Sequence, residues 1–184
     1  VRNELQGVVT VAYDEIKPIE YFEDQLDECY KEHFDSFGDM VRAAIAEYPE
    51  LKKLCLAFDA TLTEKTGQLG ENYRNITSLA YRQAIAAHKL VKDTEGNIIF
   101  LSKEDDSNGC IGTLDVTYPS IPLFLKYNPE LVKGMMRPVF RYAKSHAWVF
   151  DFAPHDAGQY PLVNGQVYGN NRREYQMPVE ECGN

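Results

Sequence analysis

The chain has 184 residues, of which 44% are hydrophobic and 12% aromatic. This size and composition predict a folded domain with a buried core rather than a disordered segment. The net charge of −9, with lysines and arginines scattered along the chain, excludes a nucleic-acid-binding or membrane-surface domain, because both need a cationic face.

The first part of the chain predicts a weak strand followed by a helix. Residues 8–13 alternate weakly between apolar and polar types, which favours a short strand. Aromatic and apolar residues then recur at helical spacing across residues 21–34. Ser36, three residues before Asp39, is typical of a helix N-cap, and an apolar helix face continues from there to Tyr48.

Two further helices are predicted between residues 49 and 87. Pro49 suits the first turn of a new helix, because that turn leaves its N–H groups unpaired and proline has none. Apolar residues at helical spacing follow, and Gly67 and Gly70 are expected to end the segment. The next helix is predicted from about residue 71 to residue 87.

The middle of the chain predicts a β-hairpin, a polar loop and a helix. The turn-forming residues 93–97 (DTEGN) separate two short apolar runs, which favours a hairpin. Residues 102–120 are polar and are expected to be irregular. Asn128 is expected to cap a helix that has Pro129 in its first turn, extends to about residue 144, and is kinked or split at Pro138.

Residues 153–184 form a second polar stretch, expected to be largely irregular because prolines and glycines recur. The elements together predict a single, mainly α domain over residues 1–184, built from helical hairpins with long irregular loops and one short β-hairpin. Polar side chains gathered in irregular backbone are typical of binding or catalytic rims. The two polar stretches therefore contain the candidate site.

Several signatures of enzyme chemistry are missing from the sequence. It contains no Ser/Thr-x-x-Lys, G-x-S-x-G, P-loop, G-x-G-x-x-G or H-E-x-x-H pattern, so nucleotide, dinucleotide and zinc-protease chemistry are unsupported. The four cysteines are too widely spaced for a zinc signature or a small disulfide scaffold, and we interpret them as buried free thiols: Cys29, Cys55, Cys110 and Cys182.

Charged residues of the first polar stretch have two interpretations each. Asp105, Asp106 and Asn108 could offer oxygen ligands to a cation, but the further acids of a calcium loop are missing. A solvated turn is favoured, and no metal site is predicted. Lys103 and Glu104 form either a positioned ion pair at the loop entrance or an ordinary surface pair.

A set of carboxylates and one histidine is suited to acid–base chemistry. Asp115 is expected in an extended segment, on the face opposite its apolar neighbours. His155 and Asp156 follow a proline, and Glu180 and Glu181 lie at a predicted helix start, which favours negative charge. Crowded carboxylates acquire separated pKa values, whereas single loop acids most often cap helices and bind loop amides. For the set as a whole, the functional interpretation is favoured.

These segments resemble the glutaminase A family of fungi and bacteria. The resemblance covers essentially the whole chain in order, and its strings are IEYF at residues 19–22, SLAYRQ at 78–83, SKEDDSNGCIGTLD at 102–115, VTYPSIP at 116–122, YNPELVK at 127–133, FAPHDAGQYP at 152–161 and QMPVEECGN at 176–184. Ala157 departs from the pattern, which has a larger apolar residue there.

The resemblance implies a bacterial-type member with part of a six-hairpin α/α toroid, similar to that of many glycosidases. It implies hydrolysis of glutamine to glutamate and ammonia, and a periplasmic or extracellular location. It also implies a piece of a longer protein, with the remaining domains of the parent chain as partners and an apolar interface that is exposed or self-associated.

The first hypothesis is a hydrolase whose loops form one wall of a polar cleft for a small-molecule substrate. Its catalytic residues would be Asp115, Asp156, Glu180 and Glu181, and its substrate-binding residues would be His155, Tyr118, Asn108, Lys103, Glu104 and Tyr160. Cys110 is a nucleophile candidate by type, but a buried thiol is favoured because no histidine is adjacent in sequence. No cofactor is predicted.

Two alternatives stay open. A glycoside hydrolase would place a pair of carboxyl groups roughly 5–9.5 Å apart across the scissile bond. A glycan-binding or scaffolding domain would instead pair its carboxylates with backbone amides, and its polar loops would pack against neighbouring parts of the protein.

Overall fold

The computed structural model describes residues 7–104 and 106–183, and it confirms the mainly α prediction. The described helices are α1 (Phe37–Gly67), α2 (Glu71–Ala86), α3 (Leu114–Tyr127), α4 (Pro129–Ala143) and α5 (Pro178–Gly183). The strands are β1 (Ile19–Tyr21), β2 (Asp24–Leu26), β3 (His88–Lys92), β4 (Ile98–Ser102), β5 (Cys110–Ile111), β6 (Gly158–Gln159) and β7 (Leu162–Val163). Within the described ranges, no helix is both long and apolar enough to cross a membrane.

The N-terminal region differs from its prediction. Residues 8–13 form no strand, and residues 21–34 contain the last residue of β1, all of β2 and a short 3-10 helix instead of an α-helix. Phe22 and Glu23 turn the chain between the two strands with φ of 48° and 77°. β1 also pairs in parallel with β7, so a partner from the far end of the chain decides the local conformation against the helical spacing.

Helix α1 begins as predicted and then runs further. The Ser36 hydroxyl accepts the Asp39 N–H at 3.1 Å, which confirms the N-cap. Pro49 does not open a new helix, because α1 continues through it to Gly67. The alanine, leucine, lysine and glutamate residues around Pro49 are strong helix formers, and they maintain the helix despite one lost hydrogen bond. The predicted break between Gly67 and Gly70 and the helix that follows are confirmed.

Two small sheets organise the rest of the fold. The larger has the order β2-β1-β7-β6-β5, and the smaller is the predicted hairpin of β3 and β4. Helix α4 lies against β4 at Gly134, where a side-chain carbon would stand 2.9 Å from Ile98 Cγ2 and 3.1 Å from a backbone nitrogen. The buried core between the sheets consists of Ile19, Tyr21, Leu26, Val91, Ile99, Leu101, Ile111, Ala157 and Val163.

The first polar stretch is more regular than predicted. It contains β5 and the start of α3, so Asp115 lies in the first turn of a helix and not in an extended segment. Pro119 and Pro122 lie within α3, where they obscure the helical signal in the sequence. Asn128 caps α4 by accepting the Glu130 N–H at 3.2 Å, as predicted, and Pro138 does not split α4.

Candidate functional site

Asp156 lies at the centre of the second polar stretch and is fully buried. Its Oδ1 accepts the N–H groups of Gly158 and Val167, both at 2.9 Å. Its Oδ2 accepts the Tyr168 N–H at 3.1 Å and contacts Nδ1 of His155 at 3.1 Å. One carboxylate therefore joins the loop before β6 to the loop after β7, and four polar groups share its oxygens.

His155 is held on several sides. Its backbone N–H donates to Oε1 of Gln166 at 2.6 Å, and its ring stacks on Tyr168 with 4.2 Å between centroids. Because Asp156 accepts hydrogen bonds, Nδ1 carries the proton in their contact. Burial opposes the charged imidazole, but the Asp156 hydrogen bond and the negative charges of Glu181, Asp156 and Asp115 outweigh it and raise the pKa of His155 above 6.5.

The carboxylates around His155 occupy different environments. Asp115 is exposed in the first turn of α3, where the helix dipole favours a negative charge. Glu181 lies in α5 and is buried, with 3% of its surface exposed. Glu180 lies beside it in α5, but its side chain is outside the described part of the structure. The fold thus brings Asp115, Glu181 and the His155–Asp156 pair into one electrostatic group.

Cys110 belongs to the same group, although it is far from His155 in sequence. Its sulfur and the ligand atoms of His155 and Asp156 lie within 4.8 Å of one another, and all three residues are buried. Burial and the charges of Asp156 and Glu104 raise the pKa of the thiol to about 12. The thiol therefore stays protonated at neutral pH, which makes Cys110 a poor nucleophile.

These three residues are also a donor set that zinc accepts. The oxygens of Asp156 are already occupied by three backbone N–H groups and the His155 ring. A metal ion would have to displace these contacts, so the geometry favours a hydrogen-bonded cluster. Among the other cysteines, Cys29 is half-buried and Cys55 is exposed. The prediction of a buried thiol is confirmed for Cys110 and wrong for Cys55, and the Cys182 side chain is not described.

Lys103, Glu104 and Tyr160 lie together beside this cluster. They line a pocket of about 380 Å³ with Glu15, Gly109 and Gln159. The Tyr160 hydroxyl donates a hydrogen bond to Glu15, and Nζ of Lys103 lies 5.1 Å from the centre of the Tyr160 ring. Burial and the hydrogen bond to Glu15 raise the pKa of Tyr160, so its phenol stays protonated.

The remaining sequence candidates lie at the edge of the site. Oδ1 of Asn108 accepts the Cys110 N–H at 2.8 Å, which is a local turn contact. Tyr118 projects from α3 and is exposed. Asp106 is exposed, and Asp105 lies outside the described residues.

Three residues that complete the site had no signal in the sequence. Gln166 positions His155, on which the Tyr168 ring stacks, whereas Glu15 and Gln159 line the pocket beside it. Each lies in irregular or very short elements without periodicity. Their proximity to the predicted residues depends on the sheet order, which pairs β5 with β6 and β6 with β7.

A second concavity lies between α1, α2 and α3. This apolar groove has a volume of about 870 Å³, and its lining includes Phe58, Leu62, Tyr81, Ala84, Leu123 and Tyr127. The rings of Phe58, Tyr81 and Tyr127 contact one another, with 5.0 to 5.9 Å between their centroids. The groove contains no cluster of acids comparable to that around His155 in the described residues.

Comparison with known proteins identifies the family. Residues 70–184 match the glutaminase A six helical-hairpin domain, which is more than half of the chain. Glutaminase A of Aspergillus oryzae is 40% identical over 116 residues, covering 62% of this chain. A probable glutaminase of Arthroderma benhamiae is 35% identical over 130 residues, covering 70% of this chain. The matches span only 16% and 14% of those two relatives. No solved structure matches the chain significantly.

Proposed function

Since the chain belongs to the glutaminase A six helical-hairpin family, we propose that it forms one wall of a hydrolase site that releases ammonia from glutamine. The observation that carries the proposal is the position of His155. The Asp156 carboxylate orients its ring, and the charges of Glu181 and Asp115 stabilise its protonated form. A buried histidine with a raised pKa is suited to proton transfer near neutral pH.

The four carboxylates have different roles in this proposal. Asp156 is a positioning residue, because its oxygens are committed to backbone amides and to His155. Asp115 is exposed and accepts a proton from the attacking water. Glu181 keeps His155 protonated through its negative charge. Glu180 is assigned no role, since its side chain is not described.

The reaction then needs no nucleophile from the protein. Water attacks the carbon of the substrate side-chain amide and gives one proton to Asp115. Protonated His155 gives a proton to the amide nitrogen as the carbon–nitrogen bond breaks, and ammonia leaves. The high pKa of Cys110 supports this choice of water over a thiolate.

The scaffolding alternative, in which loop carboxylates pair with backbone amides, describes Asp156. Asp156 accepts three backbone N–H groups, as expected for an acid that fixes loops. This role is compatible with catalysis by its neighbours, because it holds His155 in place. The glycoside hydrolase alternative has no observation of its own in its favour.

We also propose that the apolar groove between α1, α2 and α3 is covered by other helices of the same protein. The family domain has six helical hairpins by its description, whereas the described residues contain five helices. The two relatives are several times longer than the matched segments. The periplasmic or extracellular location stays a prediction.

Substitution of the carboxylates in the full-length natural protein tests the catalytic assignment. Asp115→Asn should lower kcat for glutamine about a hundredfold or more, the usual contribution of a general base. Glu181→Gln should lower kcat by a smaller factor, because it removes one of the charges that raise the pKa of His155 and leaves the general acid in place. Asp59→Asn and Glu130→Gln are matched controls, because both residues are exposed on other helices. The assignment is wrong if the two site variants keep the kcat of these controls.

A further inference from the structure

The pocket beside the catalytic cluster has a lining that the proposed reaction does not use. We call it the Lys103 pocket, and its lining residues are Glu15, Lys103, Glu104, Gly109, Gln159 and Tyr160. Its volume of about 380 Å³ lies at the lower end of the roughly 300–1,000 Å³ typical of small-molecule sites. Such a pocket suits a ligand no larger than an amino acid or a small peptide.

Lys103 supplies a positioned positive charge to this pocket. Its ammonium group lies over the Tyr160 ring, and the Tyr160 hydroxyl is anchored by Glu15. Glu15 itself is paired with Lys89 at 2.5 Å. In residues 7–104 and 106–183, Lys103 makes no ion pair within 4.0 Å, so its charge is available to an anionic group of a ligand.

Glu104 supplies a negative charge to the same pocket. Its carboxylate accepts a hydrogen bond from the Ser107 hydroxyl, which is a neutral partner. Glu104 likewise makes no ion pair with the described lysines, arginines or histidines. Lys103 and Glu104 thus line one pocket and form no ion pair with each other. This arrangement suits a ligand that carries both a negative and a positive charge.

We propose that the Lys103 pocket binds the zwitterionic head group of an α-amino acid. The Lys103 ammonium binds the α-carboxylate and the Glu104 carboxylate binds the α-ammonium, both as charge-assisted hydrogen bonds. The inference rests on the proposed function, because it makes the head group of glutamine the ligand of this pocket. It also restricts the substrate to free α-amino acids, since a peptide-bound or acylated residue lacks one of the two charges.

The position of the pocket fits this assignment. Gly109 lines the pocket, and the next residue, Cys110, contacts the His155–Asp156 cluster. The Glu104 N–H donates to the Cys110 carbonyl at 2.9 Å, and the Tyr160 N–H donates to the Gly109 carbonyl at 3.1 Å. The backbone segment of Gly109 and Cys110 therefore connects the Lys103 pocket with the cluster of Cys110, His155 and Asp156. A neutral sugar would offer neither charge of the pocket an oppositely charged partner, whereas the head group of an amino acid offers one to each.

Calorimetric titration of the full-length natural protein tests the inference independently of turnover. The probe is L-methionine sulfoxide, which has the same head group and a polar side chain but no amide to hydrolyse. Its N-acetyl derivative lacks the ammonium, and its α-amide lacks the carboxylate. Wild type should bind the parent amino acid at least about tenfold more tightly than either derivative.

Two variants assign each charge to its partner. Lys103→Met should weaken binding of the parent amino acid about tenfold to a hundredfold and leave the affinity for the α-amide unchanged. Glu104→Gln should weaken binding of the parent and leave the affinity for the N-acetyl derivative unchanged. Lys133→Met and Glu130→Gln are matched controls, because these residues form an exposed pair at 2.7 Å on α4. Both controls should bind like wild type.

The outcomes separate this inference from the proposed function. The inference is overturned if wild type binds none of the three probes, or if Lys103→Met and Glu104→Gln bind the parent amino acid like wild type. If the predicted binding pattern is found but wild type releases no ammonia from glutamine, the proposed reaction fails and the head-group pocket stands. If ammonia is released with no change in KM for either variant, the reaction stands and the pocket assignment fails.

Discussion

The sheet region and the α1–α2 hairpin are stabilised in different ways. In the sheet region, the side chains of Ile19, Ile99 and Leu101 have no exposed surface. In the described hairpin, α1 has one buried residue, Thr66, and α2 has none. Most helical stability in proteins comes from packing of an apolar face. The sheet region contains such a core, whereas the hairpin still presents its apolar face in the groove.

This difference explains where the candidate site lies. His155, Asp156 and Cys110 belong to the packed region, where strands and backbone hydrogen bonds hold side chains at fixed positions. The hairpin contributes an apolar surface without acid–base groups of that kind. A catalytic cluster needs fixed geometry, whereas an interface for further helices needs exposed apolar area.

One leucine from each region gives the largest contrast. Leu101→Ala should lower the free energy of unfolding by about 2–5 kcal/mol, because it leaves a cavity in the core. Leu54→Ala should change it by less than about 0.5 kcal/mol in the 184-residue chain, because Leu54 is 58% exposed. Urea unfolding measures both values.

A groove residue in the full-length protein tests the proposed cover of the groove. Tyr73 lines the groove and is 49% exposed. If other helices cover the groove, Tyr73→Ala should lower the free energy of unfolding more in the full-length protein than in the 184-residue chain, because a buried ring is then lost. Equal effects of Tyr73→Ala in both chains would contradict the proposal.

Asp156→Asn should have the next largest effect. The amide nitrogen of asparagine cannot accept hydrogen bonds, so at least one of the buried N–H groups of Gly158, Val167 or Tyr168 loses its partner. The expected loss of unfolding free energy is about 1–3 kcal/mol. Asp59→Asn, an exposed control, should be neutral. Equal stability of the two variants would show that Asp156 does not hold the loops together.

Two histidines, His155 in the candidate site and His88 in β3, should respond oppositely to pH. The pKa of His155 is raised, so its contribution to stability is complete below 6.5 and is lost as the pH rises through its folded pKa. Burial lowers the pKa of His88, which lines the groove, although its hydrogen bond to Ala84 O opposes the shift. Stability from neutral His88 is therefore lost as the pH falls below 6.5. NMR titration should give midpoints on opposite sides of 6.5, and equal midpoints would refute the contrast.

Local signals in the sequence predicted the elements that depend on neighbouring residues. The Ser36 cap, the turn at residues 93–97 and the Asn128 cap with Pro129 are all confirmed, because each is stabilised within a few residues. Residues 21–34 were mispredicted because β1 pairs with β7, near the other end of the chain. Periodicity along the sequence contains no information about such a partner.

The site was predictable in its residue types and not in its geometry. The two polar stretches contain His155, Asp156, Asp115 and Glu181, and the three carboxylates raise the pKa of His155, whereas the roles of these residues in a site stay a prediction. The position of Cys110 beside His155 depends on the pairing of β5 with β6, which the sequence does not reveal. The division between the cluster around His155 and the Lys103 pocket likewise depends on which side chains line which surface.

The most direct test is a product assay on the full-length natural protein with glutamine and a panel of glycosides. Ammonia, glutamate and reducing sugar are measured in the same samples. We expect equal amounts of ammonia and glutamate from glutamine and no reducing sugar from any glycoside. Reducing sugar without ammonia would contradict the proposed function and would support the glycoside hydrolase alternative instead.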